Sequence, residues 1–85
     1  QVARVGRFEA EALRARVDTL TPREKEVVRC VIAGARNKQI ADHLGIAEHT
    51  VKLHRGQVMK KLGVNTVTAL VNACQQAGIE PTTIS

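Results

Sequence analysis

Lys52, Leu53, Gly56, Gln57 and Lys60 fall on one side of a helical repeat running from about Glu48 to Leu62. With about 100° between successive residues, Val51, Val58 and Leu62 lie within about 40° of one another and form the stripe that must face a core. The first five are turned the other way. Their chemistry is recognition, not bond making. A lysine donates to guanine O6 and N7, a glutamine amide suits adenine, and an aliphatic group suits the thymine methyl. Lysines alone would describe any solvated face. Leu53 has no reason to sit in water, and it favours a groove reader.

The parts of an active site are missing. No nucleophile stands beside a base at useful spacing, and no glycine loop could cradle a phosphate. His43, His49 and His54 have no second ligand at zinc spacing. Neither catalysis, a metal nor a cofactor is expected.

The chain has 85 residues, enough for one small domain with a modest core. Thirteen Lys and Arg oppose eight Asp and Glu, for a formal charge of +5. Such an excess favours polyanions, nucleic acid before acidic lipid. One Phe and no Tyr or Trp argue against single-strand and RNA readers, which stack bases on rings. A duplex is the better match. No apolar run approaches a membrane span, and no signal peptide is visible. Cys30 and Cys74 lie in apolar helical patterns without a CxxC pair, so reduced core thiols in a cytoplasm are expected. A chain opening on Gln1 is expected to be a piece of something longer.

The elements that must position these residues are all helical. Val5, Phe8, Ala12, Leu13 and Val17 have helical spacing, and residues 1–18 are expected to form a linker helix. Thr21-Pro22-Arg23-Glu24 is an N-terminal capping signal, and Val27, Val28, Val31 and Ile32 give that helix its inner face. Gly34 ends it. Asn37 is the expected N-cap of a shorter helix that stops at Gly45, and Gly45-Ile46-Ala47 leads into the helix of Glu48 to Leu62. Two helices joined by a tight glycine turn make a helix-turn-helix, here about residues 37–56, whose second helix enters the major groove. After Gly63, Thr66 caps a fourth helix to about Ala77. The expected fold is all-α: a four-helix domain over residues 19–79, preceded by the linker helix, with residues 80–85 a flexible tail.

Positions beside the groove face take other roles. Asn37 and Lys38 open the second helix and are candidate phosphate contacts, as is Thr50. His54 reaches a phosphate or covers the core. Arg55 lies next to the apolar stripe, which favours a structural ion pair with Glu24 or Glu26 over a base contact. In the fourth helix the apolar arc spans about 160°, wider than one core seam. Val67, Leu70, Val71 and Cys74 are the candidate dimer contacts, with a fully used monomer core as the alternative.

Three ordered motifs now carry a resemblance: Leu20 to Val28 (LTPREKEVV), Asn37 to Ala41 (NKQIA) and Thr50 to Arg55 (TVKLHR). From Leu20 to Ala77 the chain resembles the LuxR/FixJ-type (GerE-like) DNA-binding domain, and His54 to Met59 is most similar to the FixJ branch of response regulators. The resemblance implies a transcription regulator, dimeric on double-stranded DNA, whose missing N-terminal receiver domain is phosphorylated on Asp. It places groove contacts at Lys52, Leu53 and Gly56 and dimer contacts on the fourth helix. RNA polymerase is a further candidate partner, and no membrane is involved. The implied location is the bacterial cytoplasm, on the nucleoid when bound. Three positions depart from the family pattern: Ala47 stands where a capping Ser is usual, Gly56 where a polar or basic contact is common, and Ala69 where an acid often completes a capping box. The rival readings are a promoter-binding module like region four of a sigma factor, and a basic protein-interaction domain.

Overall fold

Thr21 and Glu24 begin the ordered domain by capping each other. The Thr21 hydroxyl accepts from the Glu24 amide at 3.1 Å, and Glu24 Oε1 accepts from the Thr21 amide at 2.9 Å. Pro22, which has no amide to leave unsatisfied, occupies the first helical position. In a computed structural model that describes residues 11–84, this cap opens α1 (Pro22–Ile32). It is followed by α2 (Asn37–Leu44), α3 (Glu48–Leu62) and α4 (Val67–Ala77). A helical segment, residues 11–17, precedes them, and no strand occurs among the described residues. The all-α, four-helix architecture read from the sequence is the one found. Val5 and Phe8, assigned above to the linker helix, lie outside the described residues.

Two left-handed glycines end α2 and α3. Gly45 adopts φ 68°, and the next amide, of Ile46, reaches back to the Ala41 carbonyl at 3.0 Å. A residue with a Cβ would lose roughly 1–2 kcal/mol in that conformation. Gly63 ends α3 at φ 69°, and there the Arg16 guanidinium donates to the Leu62 carbonyl at 3.4 Å. A Cβ on Gly63 would collide with that guanidinium.

The core is apolar and shared by all four helices. Val27, Val28 and Val31 of α1, Ile40 of α2, Val51, Val58 and Leu62 of α3, and Leu70 of α4 are buried together. Leu13 and Val17 of the leading segment pack against them. Cys30 and Cys74 are free thiols, 1% and 0% exposed, and burial above all pushes both pKa values up.

Three expectations need correction. Leu70 and Cys74, assigned to a dimer face, are fully buried, because α4 must spend them closing the core of its own chain. Of that set only Val67, 43% exposed, and the half-buried Val71 still face outward. The N-cap of α2 is Arg36, not Asn37, and its amide donates to Gln39 Oε1 at 2.8 Å. Residues 80–84, expected to be loose, run back to α1. Arg29 Nε donates to the Glu80 carbonyl at 3.0 Å, and the Thr82 amide to the Arg29 carbonyl at 3.1 Å.

Ala47 is the N-cap of α3, with extended backbone and no side-chain oxygen for the free amides. Ala47→Ser should therefore stabilise the domain by about 0.5–2 kcal/mol. Thermal unfolding measures it, and an unchanged or lower Tm would contradict the helix start.

Candidate nucleic-acid interface

One narrow stripe of α3 is inside, the opposite face is on display, and the flanks are half-buried. Val51 is 0% exposed, Val58 1% and Leu62 3%, whereas Leu53 is 65% exposed. Lys52, Gly56, Gln57 and Lys60 are exposed with Leu53. The helix carries Lys52, Arg55, Lys60 and Lys61, and Glu48 in its first turn is its only acid. Both ends therefore match the helix dipole, and the outward face carries Lys52 and Lys60. Lys38 is exposed on α2, while Thr50 and His54 are half-buried on α3. Asn37, half-buried, has its amide oxygen committed within the protein.

The polar ties of α3 differ from the expected ion pair. Arg55 does not meet Glu24 or Glu26; its Nη1 donates to Asn37 Oδ1 at 2.9 Å. Lys61 takes Glu24 instead, with Nζ 2.7 Å from Oε1, and also donates to the Thr19 carbonyl at 3.3 Å. Glu26 faces Arg23 at 3.5 Å on the surface of α1. The reason is helical phase. Arg55 lies about 40° to one side of Val51 on the wheel and Lys61 about 80° to the other. The first flank meets α2 and the second meets α1.

Lys61 went unnoticed in the sequence, although its flank position was a usable signal. Burial alone would push the Glu24 carboxyl up. Hydrogen bonds from Lys61 and from the Thr21 amide, with the Lys61 charge, outweigh that and hold it below the usual glutamate value. One buried carboxylate thus joins the cap of α1 to the last turn of α3.

The family model for bacterial regulatory proteins of the luxR family (GerE) matches residues 18–74. Nodulation protein W of Bradyrhizobium diazoefficiens is 43% identical over 67 residues, covering 79% of this chain and 30% of that protein. Transcriptional regulatory protein FixJ of Rhizobium meliloti is 40% identical over 73 residues, 86% of this chain and 36% of FixJ. The solved structure of response regulator StyR superposes with a TM-score of 0.82 at 42% identity, over 87% of this chain and 37% of StyR. The chain therefore spans about a third of the length of the relatives it matches.

Two outcomes test this geometry. A Cβ on Gly56 would meet nothing within 4 Å, so Gly56→Ala should stabilise α3 by roughly 0.5–1 kcal/mol. Thermal unfolding checks that sign. The lowered Glu24 pKa makes its contribution complete above the usual glutamate value and removes it as pH falls through the folded-state value. Melting temperature should therefore drop with acidification in this window, and Glu24→Gln should flatten the profile. Parallel profiles for parent and variant would refute the linkage.

Proposed function

Since the chain belongs to the luxR family of bacterial regulatory proteins, we propose that it is the effector domain of a two-component response regulator, reading duplex DNA through the outward face of α3. Domains of this family are DNA-binding transcription regulators, not enzymes. The observation that carries the groove reading is the burial of Val51, Val58 and Leu62 beside the 65% exposure of Leu53. An apolar side chain set among Lys52, Gln57 and Lys60 matches the mixed donor, acceptor and methyl pattern of a major groove.

In this reading Lys52, Leu53, Gly56, Gln57 and Lys60 approach base edges, Gly56 by letting the helix backbone come close. Lys38, Thr50, His54 and the amide NH2 of Asn37 hold phosphates and set the register without reading sequence. Two copies bind half-sites about one DNA turn apart, roughly 10 base pairs. Of the α4 face, Val67 and Val71 remain for contact with the twin. An N-terminal receiver domain, phosphorylated on Asp, acts through the segment that enters at residues 11–17, on the bacterial nucleoid, and RNA polymerase is the downstream partner.

Binding across a salt series, to a duplex selected from a random pool and to a scrambled one, tests this. Log affinity should fall linearly with log salt. Lys52→Ala should weaken selected-duplex binding by about 1–3 kcal/mol and relax one base position, whereas Lys38→Ala should weaken both duplexes alike and reduce the salt slope by about one. Equal loss on both duplexes for Lys52→Ala would remove its base-reading role.

A further inference from the structure

We propose that Arg55 grips a phosphate of the DNA backbone and that Asn37 is its positioning residue. The inference rests on the duplex-reading function above and adds a contact that neither the sequence reading nor the comparisons assign. Its basis is a mismatch of charge. Arg55 is half-buried at the junction of α2 and α3, and its hydrogen-bond partner, Asn37 Oδ1 at 2.9 Å, is neutral. Among the described residues, ion pairs join Lys61 to Glu24 and Arg23 to Glu26, and neither carboxylate serves Arg55. Among the described residues, no carboxylate lies within ion-pair distance of its positive charge.

A tie between two helices needs no such charge. A neutral amide pair would give the same bond without the desolvation that a half-buried guanidinium suffers. The remaining donors explain the choice. Arginine only donates, so Asn37 must offer its oxygen, which leaves the Asn37 NH2 and the other guanidinium N–H groups as donors. The exposed Lys38 ammonium follows on α2. The α2–α3 corner therefore presents donors and positive charge, the complement of a phosphate. The planar fork of arginine binds phosphate oxygens two at a time, and its bond to Asn37 removes rotamer freedom before DNA arrives. On the helical wheel Arg55 lies about 60° from Lys52 and one turn further along, on the margin between buried stripe and groove face. A side chain there meets the strand that borders the groove, not the base edges.

The test uses the whole 85-residue chain, with selected and scrambled duplexes across a salt series and thermal unfolding in parallel. Arg55→Gln removes the charge and keeps a polar amide at the α2–α3 corner. It should weaken binding to both duplexes by the same factor and reduce the salt slope by about one, with the fold retained. Asn37→Ala keeps the charge but frees the side chain, so affinity should fall severalfold on both duplexes with the slope nearly unchanged. An Arg55→Gln slope equal to that of the parent would overturn the proposal, whatever happens to stability. A loss confined to the selected duplex would overturn it too, by making Arg55 a base reader. Failure of Lys52→Ala to relax sequence preference would instead strike the groove reading and leave the phosphate contact standing.

Discussion

The packing of Val51, Val58 and Leu62 against α1 and α2 decides what every other residue of α3 can do. A helix has one rotational setting about its axis, and three fully buried side chains spaced over three turns fix it. Any rotation that exposed Val58 would also withdraw Leu53, because the two are about 140° apart on the wheel. Core stability and surface display are therefore one constraint. Substitutions inside the stripe would turn the outward face of α3 without altering any residue on it, and the core has little slack for repacking.

Polar contacts on the two flanks reinforce that setting in different ways. On the α1 side, Lys61 and Glu24 neutralise each other, and the same carboxylate completes the cap of α1. Breaking this pair would leave a buried carboxylate without its counter-charge, held by the Thr21 amide alone. On the α2 side, Arg55 meets a neutral amide and keeps its charge. One flank is closed and the other is open to an anion. Leading residues add a third tie, since Arg16 donates to the Leu62 carbonyl where α3 ends. Residues 11–17 are thereby connected to the C-terminal end of α3.

Features written in local pattern were legible in the sequence. The Thr21–Glu24 cap, the glycine turn at Gly45, the span of α3 and its buried stripe depend on residues within a few positions of one another, so periodicity and capping rules reach them. What escaped depends on which helix lies against which flank. The wheel set Arg55 beside the core without saying that α2 is the neighbour there, and it hid Lys61 on the side where α1 lies. The α4 face misled for a related reason. An apolar arc of about 160° shows that something covers it, but the split between Leu70, turned inward, and Val67, turned outward, needs the position of α1 and α3. The path of residues 80–84 had no periodic signal, since Arg29 holds it through backbone groups that every residue possesses.

The two thiols have a practical consequence. Cys30 and Cys74 belong to different helices, α1 and α4, and burial both hides them and disfavours the thiolate that reacts with alkylating agents. In the native chain they are silent, so each becomes modifiable only when its helix opens. Their separate labelling rates would report whether α4 detaches before α1 unravels, a built-in clock for the order in which this domain comes apart.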